Sequence, residues 1–221
     1  MIRSAYRSKA WTLVLDWLYP PRCGGCDRRG EWFCSACRES IAPPKAEGHS
    51  IMGVHGLVCA GEFDGPLREA IHNLKYENDT PLARPLAGVV HAALAHGPYW
   101  ADLQRLAPAI VPVPLHKERE RSRGYNQSQL LGTELAQLTD WTLRDNLKRV
   151  KHTRPQVDLD AQERADNVRD AFTWEGDETY PAVLLLDDVF TTGSTLGECV
   201  AVVRATGAKR IYIATVARAR G

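Results

Sequence analysis

Two adjacent carboxylates followed by a turn of small hydroxyl residues are the part of this sequence best suited to chemistry. Asp187 and Asp188 follow the apolar run 182–186, and the turn after them contains Thr191, Thr192, Gly193, Ser194 and Thr195. An unbroken apolar run is typical of a strand covered on both faces of a parallel sheet. The acids are then expected at the carboxyl end of the strand, where open α/β sheets bind their ligands.

The turn is suited to a phosphate and the acidic pair to a sugar. Backbone N–H groups and hydroxyls at a helix N-terminus favour a bound phosphate, and carboxylates accept hydrogen bonds from sugar hydroxyls. Together they predict a sugar-phosphate site. The alternative is an ordinary strand–turn–helix whose acids face solvent. An acidic pair alone would favour that alternative, but the whole run, with Gly193 at the tight turn, favours the ligand site.

A group of cysteines near the N-terminus has the spacing of a metal site. The chain has six cysteines, and four of them form the pattern Cys23-x2-Cys26-x7-Cys34-x2-Cys37. Two such pairs present four thiolates to one tetrahedral Zn²⁺. Because four protein ligands leave no position for a substrate, the predicted zinc is structural. Gly24 and Gly25 would permit the tight turn between the first two ligands.

Length and composition are typical of one ordinary domain with a small appendage. The chain has 221 residues and a formal net charge of +1, so bulk charge does not indicate nucleic acid or an anionic membrane. We expect a helix and zinc module over 1–45 and an α/β domain over 46–221. The apolar stretch 11–19 is too short to span a membrane and lacks a small-residue cleavage site, so we interpret it as a short docking helix. A cytoplasmic location is therefore expected, where thiols bind metal rather than form disulfides.

Positive charge is concentrated in two runs along the chain. The first contains Lys117, Arg119, Arg121 and Arg123, and the second contains Arg144, Lys148, Arg149, Lys151 and Arg154. Such runs are usually solvated. Both, however, flank the predicted ligand site, where phosphates need countercharge.

The order of the predicted elements is that of an α/β fold with a mainly parallel sheet. Strands are predicted over 54–63, 109–114, 141–150, 182–186 and 209–216. Helices are predicted over 67–74, 82–94, 128–138 and 196–206. The long polar stretch 151–170 is expected to be a lid or to hold a surface helix over 161–168.

Several further motifs resemble the ComF family of bacterial phosphoribosyltransferase homologues. The motifs are Pro112-Val113-Pro114-Leu115-His116, Arg123-Gly124-Tyr125-Asn126-Gln127, the acidic pair with its turn, and the spaced set Leu147, Arg149, Thr153, Gln156, Leu159, Arg164, Asn167, Ala171 and Phe172. The resemblance extends from Cys23 over nearly the full length. It implies a type I phosphoribosyltransferase-like, Rossmann-like fold with an N-terminal zinc finger.

The resemblance also implies a site for phosphoribosyl pyrophosphate (PRPP) with Mg²⁺. Asp187 and Asp188 would be the catalytic pair that holds the ribose hydroxyls, and the turn 191–195 would hold the 5-phosphate. The stretch 151–167 would be the flexible loop over the substrate. Lys75 lies in a Leu-Lys-Tyr element of the family and could reach the site, although a helical lysine is more often solvated. The pyrophosphate loop would comprise Val113, Pro114, Arg121 and Arg123.

Two functions are compatible with these expectations. The first is transfer of phosphoribosyl to an unknown nitrogen acceptor, since no recognised purine or pyrimidine hood is present. The second is a non-catalytic DNA-processing factor in natural transformation, which would bind single-stranded DNA or competence and helicase proteins. The basic cluster 144–154 favours the second function because backbone contacts need cations. The near-neutral charge and the few aromatics among the basic runs oppose it.

Overall fold

The computed structural model describes residues 20–45, 51–150 and 170–219. The predicted docking helix at 11–19 and the predicted lid at 151–167 lie outside the described residues. In chain order the elements are α1 (Ser35–Glu39), β1 (Gly56–Cys59), α2 (Gly65–Tyr76), a short 3₁₀ turn (Thr80–Leu82), α3 (Ala83–His96), α4 (Trp100–Leu106), β2 (Ala109–Pro112), α5 (Lys117–Arg123), α6 (Gln127–Thr139), β3 (Leu147–Arg149), β4 (Phe172–Trp174), β5 (Ala182–Phe190), α7 (Ser194–Ala205) and β6 (Arg210–Arg218).

A four-stranded parallel sheet organises the chain, in the order β1–β6–β5–β2. Leu186 is in register with both Ala214 of β6 and Pro112 of β2. The predicted α/β class with a mainly parallel sheet is therefore confirmed. β3 and β4 form a separate antiparallel pair, in which Lys148 lies opposite Thr173.

The sheet separates two buried clusters of apolar side chains. Alternate residues of β5 point to opposite faces because the side-chain period of a strand is two. Leu184 and Leu186 belong to the cluster with α2, α3 and α6, whereas Val183 and Leu185 belong to the cluster with α7. All four side chains are buried, which explains the unbroken apolar run in the sequence.

Side-chain capping fixes where two of the helices near the sheet edge begin. The Asp64 carboxylate accepts from the Gly65 N–H at the start of α2. The Asn126 side chain accepts from the Ser128 N–H, 3.0 Å away, at the start of α6. Such caps satisfy N–H groups that have no partner within the helix.

Three predicted segments differ from the structure. The basic run after β2, expected to be a loop, forms the short helix α5. The strand expected over 141–150 is confined to β3, which pairs with β4 outside the main sheet. Helix α4 was missed because its seven residues are too few for apolar periodicity to show.

The four-cysteine module packs directly on the helices of the main domain. Cys23, Cys34 and Cys37 are buried in the same cluster as Leu82. Residues 24–26 form the predicted turn, although neither Gly24 nor Gly25 has a positive φ. A Cβ atom at Gly24 would lie 2.7 Å from Leu82 Cδ1, and one at Gly25 would lie 2.8 Å from Pro66 Cβ. Glycine is thus required for close packing of the module.

Candidate functional site

The acidic pair lies at the carboxyl edge of the sheet, beyond the end of β2. The structure extends β5 to Phe190, because β6 continues to pair with it there. On the other side, the last ladder contact is the Val113 N–H bonded to the Leu186 carbonyl, at 2.9 Å. Asp187 and Asp188 therefore sit within a strand that has lost its neighbour on one side, which leaves room for a ligand.

Asp188 forms a buried ion pair with a lysine from another element. Its Oδ1 lies 2.8 Å from Lys75 Nζ in α2, and the two side chains are 7% and 19% exposed. Burial lowers the pKa of the Lys75 ammonium, but the charges of Asp188 and Asp187 and the hydrogen bond to Asp188 together shift it upward, so the lysine stays charged. The expectation that Lys75 could reach the site holds, and the alternative of a solvated lysine is wrong.

Asp187 is held by hydrogen bonds from the start of α6. Its Oδ1 accepts from Ser128 Oγ and from the Asp188 N–H, both at 2.9 Å. Burial, reinforced by the negative charge of Asp188, raises the pKa of Asp187 to about 7. The two carboxylates thus share one positive charge, that of Lys75, among their direct partners in the described structure.

The turn after β5 adopts a backbone conformation that requires a glycine. Gly193 is the N-cap of α7 with φ +80°, and a Cβ atom there would lie 3.1 Å from Phe190 Cζ. Thr191, Gly193 and Thr195 line the cavity beside the acids. Thr192 and Ser194 do not line it; their hydroxyls are 3.0 Å apart and bond to each other. The predicted phosphate turn therefore faces the acidic pair with three of its five residues.

The loop after β2 closes the opposite wall of the same cavity. Val113 and Pro114 line it, and the Asn126 amide donates to the Val113 carbonyl at 3.0 Å. Arg121 is exposed on α5 and lines neither this cavity nor the neighbouring cavity between α2 and α5. Arg123 lines a neighbouring cavity rather than this one. The structure thus brings the two apolar residues of the predicted pyrophosphate loop to the acids, but not its two arginines.

Two cavities meet at a buried arginine. The acidic-pair cavity, about 180 Å³, shares Arg149, Pro114 and Leu115 with a larger cavity of about 590 Å³. Arg149 is 8% exposed, and its guanidinium lies 5.4 Å from the centroid of the Phe172 ring. Burial lowers the pKa of Arg149, but an arginine remains protonated in proteins. This arginine supplies positive charge to both cavities.

The second basic run is partly occupied by contacts within the protein. Lys148 Nζ lies 2.6 Å from Asp145 Oδ2, and the Arg144 guanidinium lies 5.5 Å from the Tyr180 ring centroid. Lys148 and Asp145 both line the larger cavity, together with Lys117 of the first run. Of the two basic runs, Arg149 lines the acidic-pair cavity, and Lys117 and Lys148 line the larger cavity that adjoins it.

The four cysteines of the N-terminal module have the geometry of a tetrahedral zinc site. Their Sγ atoms all lie within 4.8 Å of one another, with Cys23–Cys37 at 3.6 Å and Cys26–Cys34 at 3.7 Å. Tetrahedral Zn–S bonds of about 2.3 Å place sulfurs about 3.8 Å apart. Burial raises the pKa of the Cys23 thiol, but N–H donors outweigh burial and lower it to about 6, which favours the thiolate that a metal needs. The predicted structural zinc is supported.

The fold and these sites define an α/β protein with a mainly parallel sheet and an N-terminal four-cysteine zinc-binding module. Residues 14–53 match the family described as a double zinc ribbon domain. Competence protein F of Haemophilus influenzae is 33% identical over 203 residues, which cover 90% of this chain and 85% of that protein. The DNA utilization protein YhgH of Escherichia coli strain K12 is 29% identical, and that of Salmonella typhimurium 32%, each over 87% of this chain and 81% of the relative. The chain belongs to the competence protein F (ComF) family.

One residue of the site was missed from the sequence. Ser128 bonds to Asp187 from an element 59 positions away. Its signal was its position just after the Asn-Gln pair that begins α6, where a hydroxyl at a helix N-terminus faces the sheet edge.

No helix among the described residues is both long and apolar enough to cross a membrane.

Proposed function

We propose that this protein binds PRPP in the acidic-pair cavity and transfers its phosphoribosyl group to a nitrogen acceptor. One observation supports the proposal best. The carboxylates of Asp187 and Asp188, at the edge of the sheet, line the same cavity as Gly193, the N-cap of helix α7. Phosphate is favoured at the helix end and hydroxyls are favoured at the carboxylates. A sugar 5-phosphate presents both groups at one end of one molecule.

The residues of the cavity divide the ligand between them. The oxygens of Asp187 and Asp188 would accept from the ribose hydroxyls, while Thr191, Gly193 and Thr195 would donate to the 5-phosphate. Arg149 lies on the side that opens to the larger cavity, where it would contact the leaving pyrophosphate. Binding by preorganised groups of this kind accelerates reactions through positioning and charge stabilisation.

The oxygen-rich acidic pair also fits Mg²⁺. Asp188 Oδ2 is buried and has no hydrogen-bond partner among the described residues. Carboxylate oxygens are the ligands that Mg²⁺ prefers, usually together with substrate phosphates. When bound, Mg²⁺ would neutralise pyrophosphate charge and so make pyrophosphate a better leaving group.

The proposed transfer needs no nucleophile from the protein. A nitrogen lone pair of the acceptor forms the bond to ribose C1 as the bond from C1 to pyrophosphate oxygen breaks. The bonding electrons leave with pyrophosphate, and the acceptor nitrogen releases its proton to solvent. The protein holds the ribose by Asp187 and Asp188 while positive charge develops at C1, so the pair also stabilises that charge.

Isothermal titration of the zinc-loaded full chain with PRPP and Mg²⁺ tests the proposal. We expect one site in the wild type and no measurable heat in the double variant Asp187→Ala/Asp188→Ala. Asp102→Asn, an exposed acid on α4, is the matched control and should bind like the wild type. Equal heats for the wild type and the double variant would refute the proposed site. Mass spectrometry after incubation with candidate bases then identifies the acceptor.

A role in natural transformation or DNA use is the second candidate. Its support comes from the relatives named for competence and DNA utilization and from the exposed cations Lys117 and Arg121 on α5. Such cations would bind a phosphate backbone with strong salt dependence. Fluorescence anisotropy with labelled single-stranded DNA tests it, with Lys117→Glu/Arg121→Glu weakening binding and Arg68→Glu as control. Absence of binding at low salt would exclude direct DNA contact.

A further inference from the structure

A third cavity, which also adjoins the acidic-pair cavity, is lined by positive charge. It lies between the end of α2 and helix α5, has a volume of about 470 Å³, and shares Lys75 with the first cavity. Its other cations are Arg119 and Arg123. No carboxylate is among the described residues that line it, and Asp79, close by in sequence, lines a different cavity beside the cysteine module. A ligand for this cavity is therefore an anion.

Two of the three cations of this cavity, Lys75 and Arg123, have partners within the protein. Lys75 Nζ is bound to Asp188, 2.8 Å away. The Arg123 guanidinium donates to Gln127 Oε1 and lies 5.2 Å from the centroid of the Tyr76 ring. Arg119 is half-buried, one helical turn before Arg123 on the same face of α5. An arginine fixed as Arg123 is can bind phosphate with little further loss of side-chain entropy.

An exposed aromatic ring stands beside the cations. Tyr76 is 64% exposed, although its ring is contacted by the His72 ring at a centroid distance of 4.7 Å and by Arg123. A second tyrosine of the cavity, Tyr125, is anchored by donating its hydroxyl to the Leu74 carbonyl. Arg123 lies over one face of the Tyr76 ring, and the part of the ring that stays open to solvent is suited to stack on a planar ligand group.

We propose that this cavity binds a nucleotide unit, with its phosphate on Arg119 and Arg123 and its base on Tyr76. The volume is within the range typical of small-molecule sites. Inorganic phosphate alone would leave the exposed ring without a role, and an uncharged base would leave the arginines without one. The nucleotide unit can come from a free mononucleotide or from a strand, and both have this chemistry.

Adenosine 3′-monophosphate separates this site from the proposed PRPP site. It has no 5-phosphate for the turn, and its 3′-hydroxyl is blocked, so only the 2′-hydroxyl remains for the acidic pair. We expect isothermal titration of the zinc-loaded full chain at low salt to show one site for this nucleotide and none for adenosine. The affinity should fall as salt is added, because the contact is ionic.

Two variants and a control locate the binding. Arg119→Ala should weaken the nucleotide at least tenfold, and Tyr76→Ala at least fivefold, which are the effects expected of one charged hydrogen bond and one stacked base. Arg68→Ala, an exposed arginine at the other end of α2, should change nothing. PRPP binding should persist in all three variants, so a failed nucleotide site stays distinguishable from a failed PRPP site.

The outcomes decide both the site and its source. No heat up to millimolar nucleotide, or equal affinity in the wild type, Arg119→Ala and Tyr76→Ala, would overturn the proposal. Pentadeoxyadenylate binding at least tenfold tighter than the mononucleotide, with the same response to Arg119→Ala and Tyr76→Ala, would support the proposal with a strand as the source. Comparable affinities would support it with a free nucleotide as the source.

Discussion

Replacing Lys75 by methionine should destabilise the fold substantially, because the substitution leaves a buried carboxylate without its countercharge. At 2.8 Å and an effective dielectric constant of about 20, the attraction between the two charges is about 6 kcal/mol. Desolvation of both groups opposes it, and removal of one partner of such a pair costs about 3–5 kcal/mol. Because the Lys75 side chain is still 19% exposed, we expect the free energy of unfolding to fall by an amount near the lower limit, about 3 kcal/mol.

Denaturant unfolding with zinc at saturation measures this loss. The double variant Lys75→Met/Asp188→Asn should lose less than the sum of the two single variants, since each removes the same interaction. Arg68→Met on the same helix should stay within about 0.5 kcal/mol of the wild type. Additive single losses, or a Lys75→Met variant as stable as the wild type, would refute the ion pair as a stabilising contact.

Three further predictions concern the turn, the acid and the metal. Gly193→Ala should lower the free energy of unfolding by about 1–2 kcal/mol and weaken PRPP binding, because the φ of Gly193 is +80°. Gly197→Ala, where a Cβ atom meets nothing within 4 Å, should change neither stability nor PRPP binding. Equal effects of the two substitutions in denaturant unfolding and in titration would contradict backbone strain at position 193. Folding raises the pKa of Asp187 from 3.8 to about 7, so the stability that this group contributes is full below pH 3.8 and is lost as the pH rises through 7. The free energy of unfolding of the wild type should therefore fall relative to that of Asp187→Asn between these two pH values. Parallel pH profiles of the two proteins would exclude the shift. Cys37→Ser should release zinc in a colorimetric chelator assay and lower the Tm by about 10 °C or more, whereas Cys59→Ser should retain the metal; zinc retained by Cys37→Ser would exclude this cysteine as a ligand.

The elements that position the site could be predicted from local patterns. The apolar run before Asp187, and the glycine and hydroxyl residues after it, specify a buried strand and a helix start by rules that act over a few residues. The Cys-x2-Cys pairs likewise specify a metal module, whose Sγ atoms do lie close together. In each case the sequence contains the whole signal within one short segment.

The partners of the acids could not be predicted in the same way. Lys75 and Ser128 reach the pair from helices that are distant in sequence, and contacts of that kind depend on how the helices pack. The basic run after β2 was expected to be a loop, yet His116 caps it and Gly124 ends it with a positive φ, so it forms helix α5. This helix turns Arg121 away from the acids and directs Arg119 and Arg123 to the third cavity, the one beside Tyr76.

The alternation of side chains along β5 continues through the acidic pair. Asp188 lies on the face of Leu184 and Leu186 and pairs with Lys75 of α2, whereas Asp187 lies on the face of Val183 and Leu185 but bonds to Ser128 at the start of α6. A ligand held by both carboxylates and by the turn at the start of α7 would therefore connect α2 and α6 on one face of the sheet with α7 on the other. Occupancy would then slow amide hydrogen exchange on both sides of the sheet together, rather than in the loops around the ligand alone.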